Sequence, residues 1–332
     1  MTHGYHRPMR RALRNGGFVL IIVVAFAAGW VPLPYFALGP GPARQVVPLI
    51  HVDGVPTYGS SGRLVMTTIR FTQVTALGAL VAWLNPEQAV VGEEAVYPPG
   101  LSPSEEEQRA ISQMDQSKID AASVALTEVT EYPREHGPGA LVELVGTDCP
   151  ADGRLFPGDQ IVRIDGEQVD SSQEASRLID GVPIGEPIGF HVEADGEVHD
   201  VRVTRGACPG VDEPAIGIVL VDSFPFQITI ESGDVGGPSA GLMWAVGLYD
   251  LLTPGDLTRG RTIAGTGTID LEGRVGPIGG IVDKVVAARD AHADVMLVPR
   301  DNFDELRDVD TGDLTLIPVS TFDEAVKALS AS

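Results

Sequence analysis

The stretch GDVGGPSAGLMWAVGLYDLL, Gly233–Leu252, leads from a turn of small residues directly into an apolar segment with helical spacing. Pro238 and the glycines before it predict the turn, and a helix should begin near Ser239. Serine is favoured at helix N-termini because its hydroxyl satisfies unpaired backbone N–H groups. Those N–H groups and the helix dipole would also stabilise an oxyanion. Ser239 is therefore either an ordinary helix-start residue or a nucleophile, with supporting roles for its small neighbours Gly237 and Ala240.

A serine hydroxyl is a poor nucleophile until a neighbouring base removes its proton. His292 lies in the polar sequence ARDAHAD, which is typical of a solvated helix end and argues against a Ser-His-Asp triad. Lys284 lies in IVDKVVAARDA, with Ile281, Val285 and Ala288 on the neighbouring helical face. Burial there would lower the lysine pKa, so that a neutral amine could act as general base. The alternative is a solvated lysine on an amphipathic helix, the usual environment of this residue type.

Three short motifs follow one another in the last third of the chain. They are GGPSAG at Gly236–Gly241, TGTIDLEGRV at Thr266–Val275 and GRVGPIGGIVDK at Gly273–Lys284. Together they resemble the motifs of the proteolytic domain of the Lon proteases. This resemblance implies that Ser239 is the nucleophile, that Lys284 is its base and that Thr266 supports the lysine. Without the resemblance, Thr266 would be an ordinary strand residue chosen for β-propensity.

The region 136–206 has a different pattern, with short strands and Gly-rich turns. Its segment LFPGDQIVRIDGEQV, Leu155–Val169, resembles the signature of PDZ domains. Such domains capture an extended peptide by adding it as a strand to an open sheet edge. The resemblance places this groove between the strand GALVELV, residues 139–145, and the helix Gln173–Ile179. The alternative is a PDZ fold that only spaces other parts of the chain and binds no ligand. The groove residues would be Ala140, Leu141, Val142 and Leu178.

Two features depart from the usual Lon pattern. Many family members have an acidic residue where this chain has Gly236, and here Asp234 lies two positions earlier. No phosphate-binding G-x-x-x-x-G-K-[ST] motif occurs in the sequence, so no ATPase is expected. The overall layout therefore resembles the bacterial membrane-anchored, PDZ-containing Lon-like proteases, which act without a fused ATP motor.

The N-terminal region has the pattern of a membrane anchor. Residues 1–17 contain four arginines and no acidic residue, and an apolar segment extends over 18–38. This order predicts a cytoplasmic basic N-terminus (1–17), a single transmembrane anchor (18–38) and an extracytoplasmic catalytic domain. A cleaved signal peptide is the alternative, because Ala25–Ala27 has the small-x-small form of a cleavage site. Beyond the predicted anchor, residues 39–135 would form an extracytoplasmic α/β scaffold segment.

Charge and cysteine content limit the possible partners. Beyond the first 17 residues the chain has 19 basic and 46 acidic residues, which argues against nucleic-acid binding.

Cys149 and Cys208 are the only cysteines. Outside the cytoplasm they could form one disulfide, and two separate buried thiols are the alternative.

The sequence thus predicts an α+β chain with an N-terminal transmembrane helix, a PDZ-like β-rich domain (136–206) and a Lon-type proteolytic α+β domain (211–332). We expect an ATP-independent, membrane-anchored serine endopeptidase with a Ser-Lys dyad. Its substrates would be unfolded or flexible extracytoplasmic proteins selected through the PDZ domain, and it would need no cofactor or metal. The resemblance implies a homo-oligomer, in the form of a six-membered ring. The alternative is a catalytically silent, membrane-tethered PDZ adaptor or scaffold protein.

Overall fold

The computed structural model describes residue 26 and residues 29–85, 87–97, 100, 102–194 and 196–331. Its helices are α1 Ala76–Leu84, α2 Pro103–Val129, α3 Ser172–Gly181, α4 Gly241–Leu252, α5 Ile281–Asp290 and α6 Phe322–Ala331. Its strands are β1 Pro32–Pro40, β2 Arg44–Gln45, β3 Ile50–Val52, β4 Arg63–Met66, β5 Ile69–Thr75, β6 Ala89–Gly92, β7 Ala140–Val145, β8 Gln160–Ile164, β9 Glu167–Gln168, β10 Pro187–Ala194, β11 Glu197–Thr204, β12 Gly206–Cys208, β13 Val211–Ala215, β14 Ile218–Asp222, β15 Ile228–Ile230, β16 Thr262–Gly265, β17 Thr268–Ile269, β18 Val275–Gly276, β19 Val295–Pro299 and β20 Thr315–Val319.

The chain divides into two compact units, of which the smaller contains residues 1–42 and 69–103. In its described part, three antiparallel strands have the order β5-β1-β6, and α1 follows β5 directly. The hydroxyl of Thr75 caps α1 by accepting a hydrogen bond from Gly78 N at 3.1 Å. Residues of β1, β5 and α1 share a small apolar core. They are Ala37, Val74 and Ala82.

The C-terminal part of the predicted membrane anchor is a strand. Residues 32–38 lie in β1, which pairs with β5 on one side and β6 on the other. Proline lacks the N–H that a helix interior needs, so Pro32 and Pro34 favour extended backbone for this apolar segment. The prediction of a membrane helix that reaches residue 38 is therefore wrong. Among the described residues no helix is long and apolar enough to cross a bilayer, and residues 18–25, 27 and 28 lie outside the described part of the chain.

The larger unit contains residues 43–68 and 104–332, and its central sheet has the order β2-β4-β16-β19-β20. The last four of these strands are parallel. Alternate residues of β4 face two different apolar clusters: Leu64 packs in the cluster of Trp244 on α4, and Val65 packs in the cluster of Val285 on α5. Both faces are covered, as expected of parallel strands joined by helices. The helix that follows Ser239 and the helix that contains Lys284 thus pack against the same sheet.

The structure divides the predicted scaffold range 39–135 between the two units. Residues 69–103 stay with the N-terminal unit, whereas β2 and β4 extend the sheet of the proteolytic region. Helix α2 also contributes to that core, through Met114 and Ala125 among others. Parallel strands pair across long stretches of sequence, so nothing local in residues 44–66 indicates their partner.

The PDZ region forms the sheet β11-β10-β8-β7-β14, with β9 paired to β8. Its core contains Phe190, Ile161 and Ile164, and α3 covers one side through Ala175 and Ile179. The predicted strands and helix of this region are confirmed, but β14 is an addition from residues that the sequence analysis placed in the proteolytic domain. Of the two possibilities for the cysteines, the structure contains the disulfide.

Candidate active site

Ser239 lies in one 3₁₀ turn, Pro238–Ala240, which continues without interruption into α4. The residue before the turn, Gly237, has φ 82° and ψ 159°, a conformation that residues with a side chain rarely adopt. Ser239 is half-buried and Ala240 is buried. The turn therefore presents the hydroxyl at the N-terminal end of α4, as the small-residue motif predicts.

Helix α2 holds this turn in place, a contact that sequence reasoning did not find. The N–H of Gly237 donates to Ala110 O at 2.7 Å, and Ser117 Oγ donates to Pro238 O at 3.0 Å. A Cβ built on Gly236 would lie only 3.0 Å from the Cβ of Ala110. Close packing against α2 thus leaves little space for an acidic side chain at position 236.

Lys284 reaches Ser239 from α5. Its Nζ donates to Ser239 Oγ at 2.8 Å and to Thr266 Oγ1 at 3.0 Å. Thr266 Oγ1 in turn donates to Ser239 O at 3.0 Å, and Gly267 N donates to the same oxygen at 2.8 Å. The structure therefore brings together the serine, the lysine and the threonine that three separate motifs indicated.

Gly267 is required at this position for a steric reason. Its φ is 152°, and a Cβ there would lie 2.8 Å from Val275 Cγ1. The absence of a side chain lets β17 begin close to α4, and Leu242 N donates to Gly267 O at 3.1 Å. The glycine thereby fixes the distance between the segment of Thr266, which links β16 to β17, and the turn of Ser239.

Burial determines the charge state of the lysine. Lys284 is 3% exposed and Thr266 is 1% exposed. Desolvation of the ammonium group lowers the pKa of Lys284 from 10.5 to about 8. A substantial fraction of the side chain is therefore neutral near pH 8, and this neutral amine lies within hydrogen-bond distance of a hydroxyl. The solvated-lysine alternative does not describe this side chain.

A second buried ionisable cluster links α2 to the PDZ sheet. Asp120 on α2 shares a hydrogen bond with Glu143 on β7, and Gln116 Nε2 donates to Glu143 Oε1 at 2.7 Å. Burial, together with the neighbouring Glu143 carboxylate, raises the pKa of Asp120 to about 8. The sequence analysis assigned no chemistry to α2, because isolated acidic residues on a polar helix give no signal of their partners.

The predicted PDZ groove has no open strand edge at β7. Its strand β7 pairs with β8 along one edge and with β14 along the other, and β14 also contacts α3. Ala140, Leu141 and Val142 therefore pair with residues of this chain rather than lining an open cleft, and Leu178 lies against the same core. The prediction that Ala140, Leu141 and Val142 line an open groove is wrong, because β7 is an inner strand of the sheet, and the edge strand β14 lies almost eighty residues downstream of it.

Two family models match this chain. Residues 226–331 match the Lon protease (S16) C-terminal proteolytic domain, and residues 113–204 match a PDZ domain. The first range contains the serine, the threonine and the lysine of the site. The second contains the predicted PDZ strands and also the C-terminal part of α2.

Individual proteins are similar to parts of this chain. A Lon protease of Rickettsia felis is 34% identical over 260 residues, which cover 64% of this chain and 33% of that protein. A Lon protease of Methanosphaera stadtmanae is 26% identical over 206 residues, which cover 59% of this chain and 22% of that protein. The crystal structure of the PDZ domain of an SdrC-like protein from Listeria innocua has 30% identity, covers 25% of this chain and 92% of that one, and gives a TM-score of 0.23.

This chain spans a third or less of the length of these two Lon relatives. The match to the Lon proteolytic domain covers residues 226–331, a range that includes the Ser239–Lys284 contact. This chain therefore combines a PDZ domain with the C-terminal proteolytic domain of the Lon protease family.

Proposed function

We propose that this protein is an ATP-independent serine endopeptidase in which Ser239 is the nucleophile and Lys284 the general base. The observation that carries the proposal is the 2.8 Å contact between Lys284 Nζ and Ser239 Oγ. Burial supports it as well, since a lysine with a pKa of about 8 is partly neutral at ordinary pH. Ser-Lys pairs are an established variant of serine catalysis.

The geometry indicates the following steps. Neutral Lys284 accepts the proton of Ser239 Oγ while the oxygen attacks the scissile carbonyl carbon. The oxyanion develops near the N-terminal end of α4, where the helix dipole favours negative charge. The lysine then gives its proton to the departing amine, the C–N bond breaks and an acyl ester remains on Ser239. Water, deprotonated by Lys284, hydrolyses this ester and regenerates both groups. Thr266 keeps the lysine amine directed at the serine.

The substrates we propose are unfolded or flexible proteins. The sequence has no phosphate-loop motif that would supply ATP-driven unfolding. Without such a motor, the enzyme depends on segments that are already extended. The PDZ domain would select or position these segments.

We also propose that the protein is attached to a membrane with its catalytic domain outside the cytoplasm. Four arginines precede the apolar N-terminal segment. In the N-terminal unit, no charged residue occurs between Arg70 and Glu87, and α1 exposes a strongly apolar face. Its exposed side chains are Leu77, Leu80, Val81, Trp83 and Leu84. An exposed apolar patch with tryptophan suits the membrane interface, and the disulfide suits an oxidising compartment.

One experiment tests the catalytic proposal. The purified full-length chain, without ATP, should cleave a permanently unfolded test protein, and Ser239→Ala should reduce the rate by at least about 10³-fold. The exposed serine of α3 gives a matched control, because Ser176→Ala removes a hydroxyl from the same protein away from the proposed dyad. Equal cleavage by the parent and by Ser239→Ala would contradict the dyad. No cleavage by the parent would favour the silent adaptor.

The membrane proposal has a separate test. Alkaline carbonate extraction of cells that express the full-length chain should leave the protein in the membrane pellet. Quantitative release into the supernatant would contradict an integral anchor. A variant with Leu80→Asp and Trp83→Asp should bind anionic lipid vesicles more weakly than the parent in a flotation assay, because charges on α1 oppose insertion into the interface.

A further inference from the structure

The N-terminal unit contains a groove between α1 and the sheet β5-β1-β6. Its volume is about 540 Å³, within the range of ~300–1,000 Å³ that small-molecule sites occupy. Helix α1 covers the sheet where Ala37 and Val74 pack against Ala82. The groove continues along the same sheet face to Gly39 and Arg70, which pair with each other across β1 and β5. The helix thus leaves part of this sheet face uncovered.

The end of the groove beside α1 is apolar and open. Leu77 and Val81 of α1 line it together with Val74 of β5. Leu77 is 54% exposed and Val81 is 60% exposed, and both belong to the apolar face of α1 that we propose to contact the membrane. The groove is therefore continuous with that face. This continuity gives an acyl chain a path from a bilayer into the groove that stays on apolar side chains.

Gly39 keeps the floor of the groove free of a side chain. A Cβ built on Gly39 would lie 3.2 Å from Cγ of Gln88, and both residues line the groove. Gly39 is not among the glycines with positive φ, so its backbone conformation does not require glycine. Glycine within a strand often marks a site where a ligand approaches the backbone closely. The absent side chain leaves that space over β1.

The far end of the groove carries a cation. Arg70 lies four residues from Val74 along β5, a distance of about 13 Å at ~3.3 Å per residue. The Arg70 side chain is exposed, and it has neither a hydrogen bond nor an ion pair among the described residues. Arginine binds phosphate oxygens through two parallel N–H donors. An unpaired guanidinium at the end of an apolar groove therefore favours a ligand with an acyl chain and an anionic head group.

We infer that this groove binds one acyl chain of an anionic phospholipid, with the head-group phosphate at Arg70. The ligand comes from the bilayer, because the groove opens on the apolar face of α1. Such a lipid would fix the N-terminal unit on the membrane surface more firmly than the helix face alone. This inference rests on the membrane attachment in the proposed function and deepens it by naming the lipid class.

Photo-crosslinking in vesicles tests the groove. The full-length chain is placed in phosphatidylcholine vesicles that contain a trace of phosphatidylglycerol with a diazirine on one acyl chain, and adducts are located by mass spectrometry. Phosphatidylglycerol should label the groove around Gly39 and Thr72 at least about fivefold more than phosphatidylcholine with the same labelled chain. The reason is that only phosphatidylglycerol carries a net negative charge to pair with Arg70.

Two variants and a control locate the two parts of the site. Arg70→Gln should lower groove labelling by phosphatidylglycerol at least about fivefold, to the level of phosphatidylcholine, because the guanidinium is lost. Gly39→Leu fills the groove and should remove the groove adducts of both lipids. Arg109→Gln is the matched control, since Arg109 is an exposed arginine on α2. Labelling of Leu80 and Trp83, on α1 outside the groove, should stay unchanged in all three variants.

Adducts on Leu80 and Trp83 with none in the groove would overturn this inference and leave the membrane proposal standing. A second copy of the chain seated in the groove would give that result. Equal groove labelling by the two lipids, or undiminished labelling in Arg70→Gln, would contradict the head-group site. Loss of the groove adducts on adding dodecanoate at equal concentration would make a free fatty acid the ligand and contradict a bilayer lipid. No adduct on either surface would overturn both proposals.

Discussion

The Ser239–Lys284 site and the PDZ groove use burial in opposite ways. In the proposed catalytic site, Lys284 and Thr266 are almost inaccessible, and the hydrogen bond between them is buried. At the edge of the PDZ sheet, strand β14 is only partly buried, and its end contact at Asp222 is half-exposed. The proposed dyad needs desolvation, because only a buried lysine is neutral near pH 8. A sheet edge that adds a peptide strand must instead remain accessible.

The largest effect should come from removing the buried amine. Lys284→Met should reduce kcat/KM by about 10⁴-fold or more, since the base is lost while the hydrocarbon volume is kept. At pH 7 the same variant should be more stable than the parent by up to about 3 kcal/mol. The reason is that the pKa of Lys284 in the parent is about 8 in the folded protein and 10.5 in the unfolded chain. This cost of burying the charge applies below pH 8 and disappears as the pH rises from about 8 to 10.5.

Kinetic assays and calorimetry at pH 7 and pH 10 measure both parts of this prediction. The stability difference between Lys284→Met and the parent should shrink at the higher pH. Lys327→Met is the matched control, because Lys327 is a lysine on α6 whose side chain is 79% exposed. The hypothesis of a buried base fails if Lys284→Met keeps activity within tenfold of the parent.

The next effect acts on the PDZ side of the comparison. Replacing both Cys149 and Cys208 with alanine removes a link between residues 59 apart in sequence. Loss of this loop closure should destabilise the PDZ region by about 4 kcal/mol. Denaturation followed by hydrogen exchange should show early opening of 140–222, whereas cleavage of a short unstructured peptide should change little. Parallel loss of peptide cleavage would show that the two regions do not unfold independently.

A smaller effect should follow from Thr266→Val, which keeps the shape of the side chain but removes its oxygen. Thr266 Oγ1 accepts from Lys284 and donates to Ser239 O, so the variant should lose about 10- to 100-fold in kcat. Removing an acceptor from the ammonium group should also move the pH profile of kcat/KM towards lower pH. Thr266→Ser should restore both. An unchanged pH profile in Thr266→Val would reduce Thr266 to a structural role.

Sequence reasoning was most effective where chemistry restricts the choice of residue. Ser239, Thr266 and Lys284 lie in motifs with fixed order and small residues at fixed places, and the structure joins them. The alternation of apolar residues in the PDZ region likewise predicted its strands. In both regions, the local pattern and the final contact depend on the same few residues.

The sequence does not predict the pairing or packing partners of segments that have only an ordinary strand or helix pattern. The segment IVLVD has an ordinary strand pattern, and it would suit a strand of the proteolytic domain as well as β14 of the PDZ sheet. Strand β4 and the helix α2 present the same difficulty, because their partners lie far away in sequence. The crowding of Gly236 by Ala110 becomes visible only when α2 is in place.

The smallest effect is expected from Asp120→Asn, which separates the two buried ionisable clusters through the pH dependence of cleavage. If neutral Lys284 is the base, kcat/KM should rise about tenfold per pH unit below pH 8 and level off above it. Asp120, beside Glu143 between α2 and the PDZ strand β7, also titrates near pH 8 and could produce an inflection there. Asp120→Asn distinguishes the two groups, because this variant removes the acid and leaves the lysine in place. The inflection should persist in Asp120→Asn. Its disappearance would assign the pH dependence to the contact between α2 and the PDZ sheet, and would remove the kinetic support for a lysine base.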